Sequence, residues 1–209
     1  MHTYICLISF QKFLRKISFV KTHQGDSLDY ILNNFPITEI EYKKLDKEFG
    51  DLAHFAAWQL YRNNKRNNQI NSVEDIAQDL RFAVIKAGSY MKRQRYIESC
   101  LQQLREYVPL DIIKKIDHLD NLWHNRTRHG ANKQKFGAPE ENELDELVKN
   151  YVPEPKRISK KIELELTPKI VIYCKSVIWN CQKNLGRRIS KGKDIYNHMV
   201  SLSENDHLI

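Results

Sequence analysis

A tryptophan near the end of the chain is surrounded by cations. Residues 173–188 read YCKSVIWNCQKNLGRR, and Trp179 lies four positions from both Lys175 and Lys183. If this segment is helical, the three side chains share one face, because residues four apart are neighbours on an α-helix. A lysine can hold a phosphate, and an exposed indole can stack on a base. These residue types at this spacing predict a nucleic-acid contact.

The positive charge of the chain is concentrated in the same region. The 209 residues carry a formal net charge of +8 at pH 7. Residues 153–193 contain 11 Lys and Arg against 3 Asp and Glu, a net of +8, and residues 166–193 contain no acidic side chain. Such a surface favours a polyanionic partner. The simpler alternative is a solvated helix face, which usually mixes acidic with basic side chains.

The helical repeat predicts the direction in which Trp179 points. An α-helix turns by about 100° per residue. This repeat gives an inward apolar stripe of Ile170, Cys174, Val177, Cys181 and Leu185. It places Trp179 on the opposite face, with Ile172, Lys175, Gln182 and Lys183. The alternative is that Trp179 and Ile172 pack beneath the middle of the chain or its N-terminal arm.

Few glycines and prolines interrupt the sequence, which predicts a mostly α fold. Apolar periodicity predicts helices over residues 45–61, 72–88, 96–104, 110–123, 140–151 and 168–188. Gly88 is expected to end or bend its helix. The alternating IELEL of residues 162–166 indicates a short strand, and residues 62–71 and 124–142 are predicted to be exposed loops.

The helix over 72–88 has a clear start. Ser72 precedes Asp75 by three positions, which is the spacing of a capping box. The N-terminal residues 1–26 are apolar but contain cations, and their uncharged run is too short to span a bilayer. We therefore expect an ordered arm or amphipathic helix there, no membrane partner and a cytoplasmic location.

Other reactive side chains give weak signals. The four cysteines have no zinc-type spacing, so we expect buried thiols in a reducing compartment and neither metal nor cofactor. His118, His124 and His129 lie near asparagines, a composition also found in His-Asn-His nucleases. Those enzymes need a ββα metal finger, and the sequence shows no strand pair. A metal-dependent nuclease is therefore a less favoured alternative, and we expect no enzymatic activity.

Two segments, in this order, resemble the second conserved region of bacterial sigma factors. EDIAQDLRFAVIKA (residues 74–87) is similar to one helix of that region, with Leu80 in place of the usual Gly; the matching residues are Asp75, Ile76, Gln78, Asp79, Lys86 and Ala87. Residues 173–188 resemble the promoter-melting helix of the smaller alternative sigma factors, with Asn184 in place of an acid; the matching residues are Tyr173, Asn180 and Arg187. The segment MVSLSEND (199–206) resembles the one that often follows.

The resemblance implies a region-two-like helical bundle with a helical insertion. Its parts would be an N-terminal arm with short helices (1–44), the first part of the core (45–98), an insertion with a basic loop (99–166), and a basic DNA-facing helix with a C-terminal tail (167–209). The family usually has a short turn where this chain has the insertion. After residue 209 there is no room for the family's second DNA-binding module, as in the reduced late sigma factors of some tailed phages.

The resemblance also implies a sigma-like transcription initiation factor that acts in a bacterial host cell. Its partners would be core RNA polymerase and promoter DNA, with a coactivator as a further partner. The polymerase clamp helices of the largest subunit would contact Asp75, Gln78 and Asp79. Promoter DNA would contact Tyr173, Lys175, Trp179, Asn180, Lys183, Arg187, Arg188 and Lys191.

Two alternatives to these roles are open. The acidic residues of the 72–88 helix can serve simply as first-turn residues that favour the helix dipole. The chain as a whole can be a non-catalytic helical adaptor that binds DNA or protein without directing transcription.

Overall fold

The computed structural model describes residues 28–64, 72–125 and 136–205, with the backbone alone for Asn125 and for 190–205. The predicted arm at residues 1–26, Cys6, His129 and most of both predicted loops lie outside the described residues, and so does the side chain of Lys191.

Six α-helices make up most of this part of the chain. They are α1 (Leu28–Asn34), α2 (Glu39–Asn64), α3 (Val73–Tyr107), α4 (Leu110–Asn125), α5 (Ala138–Tyr151) and α6 (Pro168–Asn205), with a short 3-10 turn at Glu154–Lys156. No strand occurs in residues 28–64, 72–125 or 136–205. The expectation of a mostly α fold is confirmed.

Local sequence signals set the starts of the long helices. Thr38 and Glu41 form a capping box at α2, because the Thr38 N–H donates to Glu41 Oε2 at 2.8 Å and the Glu41 N–H donates to Thr38 Oγ1 at 3.3 Å. At α3, the Asp75 N–H donates to Ser72 Oγ at 3.2 Å, and the Ser72 N–H donates to Asp75 Oδ2 at 3.1 Å. The capping box predicted there is confirmed.

Gly88 does not end its helix, so that part of the prediction is wrong. The helix α3 continues without interruption from Val73 to Tyr107. A Cβ atom at Gly88 would lie 3.0 Å from Ile37 Cδ1 and 3.1 Å from Leu164 Cδ2. The glycine therefore allows Ile37 and Leu164 to approach the helix closely, a role that glycine has because it lacks a Cβ atom. The predicted end of α6 near Arg188 is also wrong, because that helix extends to Asn205.

The predicted strand at residues 162–166 is absent, and this segment has no regular secondary structure. Leu164 is buried, and its N–H donates to Glu41 Oε1 at 2.6 Å. The buried carboxylate thus supplies the acceptor that a partner strand would have supplied, which satisfies a buried backbone donor.

The chain forms two compact units. One unit, here called the basic-helix unit, contains Ile37–Gly88 and Leu164–Ile209, and the other, the central unit, contains Met1–Pro36 and Ser89–Glu163. The core of the central unit includes Ile97, Leu104, Leu119 and Trp123. Phe136, expected in an exposed loop, is buried and packs edge-on against Trp123 with ring centroids 5.1 Å apart.

A buried ionic network lies in the central unit. Arg93 Nε is 2.8 Å from Glu141 Oε2, and the two side chains are 3% and 0% exposed. Lys160 Nζ lies 3.3 Å from Glu141 Oε1 and 2.6 Å from Asp145 Oδ2. The Tyr96 hydroxyl donates to Asp145 Oδ1 at 2.7 Å. Because buried charges are costly unless paired, these contacts depend on one another.

Candidate nucleic-acid interface

Three helices build the basic-helix unit around an apolar centre. Leu45, Phe49, Ala53, Ala56 and Leu60 of α2 are buried at helical spacing, as are Ile76, Leu80, Val84 and Ala87 of α3 and Cys174 and Ile178 of α6. The Arg81 guanidinium of α3 lies 3.2 Å from Asp46 Oδ1 of α2 and 2.7 Å from Glu74 Oε1 of its own helix. The contact with Asp46 joins α3 to one side of α2.

The helix α6 lies along α2 in parallel. The Gln182 side-chain amide donates to the Ala56 carbonyl at 2.8 Å. One turn further along both helices, a Cβ atom at Gly186 would lie 3.3 Å from Leu60 Cδ1. Because both contacts advance by four residues, the two helices run in the same direction. Because Gly186 has no side chain, α6 can approach Leu60 of α2 closely at this turn.

The predicted inward stripe of α6 is partly wrong. Gln182 was placed on the outer face but contacts α2, and Ile178, absent from the predicted stripe, is fully buried. Cys174 is buried as predicted, whereas Val177, Cys181 and Leu185 are only half-buried. The reason is that α6 packs against two helices, so its buried face is wider than one stripe and rotated toward α2.

Trp179 lies at the edge of this buried face. Its side chain is half-buried, while Lys175, Asn180 and Lys183 are exposed and Ile172 is 69% exposed. The prediction that Trp179 lies opposite the buried stripe is therefore corrected, because Ile178 and Gln182 bring the buried face next to it. An indole in this position has one part held by the protein and the other part open to solvent.

The exposed side of α6 is cationic. Arg187 and Arg188 are exposed like Lys183, and Tyr173 is half-buried. Beside this helix, on α3, the Lys86 ammonium lies over the Phe82 ring at 4.3 Å. Burial lowers the pKa of Lys86, and the nearby Arg188 lowers it as well, while Cys181 and Asp79 act in the opposite direction. Burial, and not the surrounding charge, is therefore the main cause of the lowered pKa of Lys86.

The second predicted site lies at the start of α3. Asp75, Gln78 and Asp79 are all exposed. The Asp75 carboxylate also accepts a hydrogen bond from the Ser72 hydroxyl at 2.9 Å, in addition to its role in the capping box. Asp75 therefore has a local structural role, whatever else it contacts. Gln78 lies one turn further along the same helix, and Asp79 follows it.

Sequence reasoning missed an aromatic surface on α2. Phe55 is 49% exposed and Trp58 is 44% exposed, and the Arg62 guanidinium lies 5.4 Å from the centroid of the Trp58 ring. The available signal was the segment FAAWQLYR (55–62), in which Phe55 and Trp58 flank the buried pair Ala56 and Ala57. Apolar periodicity identifies the buried stripe of a helix and gives no role to aromatic side chains outside it.

The residues considered for nuclease chemistry do not assemble a metal site in the part of the chain that can be described. His118 is exposed, and His124 Nδ1 lies 3.0 Å from Asp120 Oδ1. Among the described residues, no group of three or more His, Cys, Asp or Glu side chains could hold a metal ion. Burial raises the pKa of the Cys174 thiol to about 11, so this thiol is a poor nucleophile near neutral pH.

No helix among the described residues is long and apolar enough to cross a membrane. Comparisons with protein-family models, with curated proteins and with solved structures find no match to this chain.

Proposed function

We propose that this chain is a sigma-like initiation factor that binds core RNA polymerase and helps to open promoter DNA. The observation that carries the proposal is the outer side of α6. There, exposed cations and Asn180 surround a half-buried tryptophan, on a segment with no acidic residue from 166 to 193. The phosphate backbone dominates DNA affinity, and such a helix provides cations for it.

The energetics of base capture fit one tryptophan with cations around it. Taking a base out of the duplex costs a few kcal/mol. Stacking on an aromatic side chain returns about 1–3 kcal/mol per base. The balance is close to zero, so phosphate contacts from Lys175, Lys183 and Arg187 would decide whether the strands stay apart. Tyr173 would offer a second ring, and Asn180 a hydrogen bond to a base edge. Arg188 and Lys191 would extend the phosphate contacts along the helix.

Polymerase binding is proposed for the start of α3. Gln78 and Asp79 are exposed on one side of the helix, where an amide and a carboxylate can pair with arginines of a partner helix. Asp75 would contribute to the same surface, in addition to closing the capping box. The division into units supports the resemblance to sigma factors, because both motif-bearing segments, residues 74–87 and 173–188, belong to the basic-helix unit.

The test uses the full chain with core RNA polymerase from a bacterial host. Size-exclusion chromatography measures co-elution, and transcription from a library of genomic fragments measures promoter-specific starts. A sigma-like factor must give both. DNA binding without specific transcripts would refute the proposal and favour a helical adaptor, and DNA cleavage that a chelator abolishes would favour the nuclease.

A matched charge change tests the role of α6. Replacing Lys183 and Arg187 with alanine should reduce promoter-specific transcription and leave co-elution with polymerase unchanged. The control replaces Lys114 and Lys149, two exposed lysines of the central unit, and removes the same charge. An equal loss of transcription in both double variants would show that net charge, and not the α6 surface, carries the effect.

A further inference from the structure

The outer face of α2 contains two large aromatic rings between two opposite charges. Phe55 and Trp58 are 49% and 44% exposed, and Asp51 and Arg62 are exposed as well. The successive spacings of four, three and four residues place all four side chains within about 60° around the helix. We call these four residues the outer stripe. This heptad spacing is typical of a helix that packs against one other helix.

The packed side of α2 lies away from the outer stripe. Ala56 and Leu60 lie against α6, and Asp46 contacts α3. Each of these three positions is at least about 130° around the helix from the middle of the stripe. The outer stripe therefore faces away from both other helices of its unit. Large exposed rings that are neighbours on one face, unlike single scattered ones, mark an interaction surface.

The charges on this side of α2 favour a protein partner over a polyanion. Asp51 and Arg62 differ in sign. Lys44 and Glu48, closer to the start of the helix on the same side, also differ in sign. Arg62 packs over the Trp58 ring, 5.4 Å from its centroid, which leaves the N–H groups at the edge of the guanidinium plane as donors. Asp51 has no ion-pair partner among the described residues. Both charges can therefore bond to a second protein surface.

The outer stripe is complementary to a second copy of itself in the reverse direction. Phe55 and Trp58 lie equally far from its midpoint, on opposite sides, and so do Asp51 and Arg62. If two copies of α2 run antiparallel about a two-fold axis through this midpoint, each Phe55 meets the partner's Trp58. By the same symmetry, each Asp51 meets the partner's Arg62. A two-fold contact uses the same patch on both copies, and such a patch must be self-complementary.

We propose that the outer stripe of α2 is the interface of an antiparallel homodimer. The four rings of the two copies form its apolar centre, and one Asp51–Arg62 pair at each end fixes the register. Tryptophan and arginine are the residue types that most often dominate the binding energy of an interface. With one helix from each copy the interface is small, so we expect a transient dimer. The inference goes beyond the proposed function and does not depend on it, because it uses no property of DNA or polymerase.

Sedimentation velocity of the full chain, without DNA or polymerase, tests the dimer over a series of micromolar concentrations. The wild-type chain should exchange reversibly between monomer and dimer. Trp58→Ala should weaken the dimer roughly 30-fold or more, since truncating a dominant interface tryptophan has at least this effect. Tyr107→Ala removes a comparably exposed ring of the central unit, 38% exposed, and should leave the dimer unchanged. Circular dichroism confirms that each variant is folded.

An exchange of charges tests the antiparallel register. Asp51→Arg places two arginines opposite each other at each end of the interface, and Arg62→Asp places two aspartates there. Each variant alone should weaken the dimer roughly 10-fold or more through like-charge repulsion. A mixture of the two variants should form a heterodimer with nearly wild-type affinity, because each copy then supplies the charge that the other lacks. Lys114→Asp makes the same charge change as Arg62→Asp on an exposed lysine of the central unit and should have no effect.

The outcomes distinguish this inference from the proposed function. A wild-type chain that stays monomeric throughout the series would overturn the homodimer, as would a dimer that tolerates Trp58→Ala. A mixture of the two folded charge variants that stays monomeric would overturn the antiparallel pairing. If the wild type is monomeric and Trp58→Ala loses co-elution with polymerase or binding to a labelled oligonucleotide, the outer stripe is instead a surface for that partner. A chain that forms the heterodimer but never co-elutes with polymerase would refute only the proposed function.

Discussion

Replacing Trp179 separates its structural role from base capture, because the half-buried indole has both. A tryptophan buries roughly 150–250 Å² when fully enclosed. Most of this area is covered at Trp179, which at about 25 cal/mol per Å² corresponds to roughly 3–5 kcal/mol of unfolding free energy. Trp179→Ala should therefore destabilise the unit by about this amount, and the alanine variant alone cannot show what the ring does for DNA.

Two further variants at the same position resolve the two roles. Trp179→Leu fills part of the buried space without a ring, and Trp179→Phe fills it with a smaller ring. We expect both to lose about 1–2 kcal/mol of unfolding free energy, measured by urea denaturation. Promoter opening, measured by the fluorescence of a 2-aminopurine base with polymerase present, should fall roughly 5- to 150-fold in Trp179→Leu and much less in Trp179→Phe. Co-elution with polymerase should be unchanged in both.

The comparison between leucine and phenylalanine decides the result. If promoter opening follows stability, so that these two variants behave alike, Trp179 acts as a packing residue and the base-stacking role is refuted. In that case, the DNA contact would rest on the cations and Asn180 alone.

Three other changes have outcomes that follow from the structure. Gln78→Ala combined with Asp79→Ala should weaken polymerase co-elution while the circular dichroism spectrum is retained, and unchanged co-elution would contradict the clamp contact. Gly88→Val should lower the free energy of unfolding by about 1–3 kcal/mol, since its Cβ would lie 3.0 Å from Ile37 and 3.1 Å from Leu164. A wild-type free energy of unfolding in urea would show that these two side chains move aside without cost. Arg93→Met should lower the free energy of unfolding by about 3–5 kcal/mol, because it leaves Glu141 buried without its closest cation. A combined Arg93→Met and Glu141→Leu variant should recover much of that loss. Equal losses in the single and the double variant would argue against a coupled pair.

Local sequence signals predicted the positions of the helices well and the residues at which two of them end poorly. The Ser72–Asp75 capping box and the buried stripe from Ile76 to Ala87 agree with the structure because both depend on residues within one or two turns. At Gly88 the local pattern predicts a helix end, but this glycine allows close packing with Ile37 and Leu164, which lie far away in sequence. A local pattern cannot contain that information.

The candidate site shows the same division between local and distant causes. The cations of α6 and the absence of acids between residues 166 and 193 are properties of the sequence, and they define a basic helix before any packing is known. The position of Trp179 depends on how many helices α6 touches. With one partner, it would lie opposite the stripe, but contacts to both α2 and α3 widen the buried face up to its edge.

By itself, the sequence determined the mostly α class, the caps and the location of the positive charge, because periodicity, capping and composition act over short distances. Tertiary structure alone decided that Gln182 bonds to Ala56, that Glu41 replaces a partner strand at Leu164, and that Gly186 lies against Leu60. Each of these pairs residues that are more than 100 positions apart, and only the packed chain brings them together.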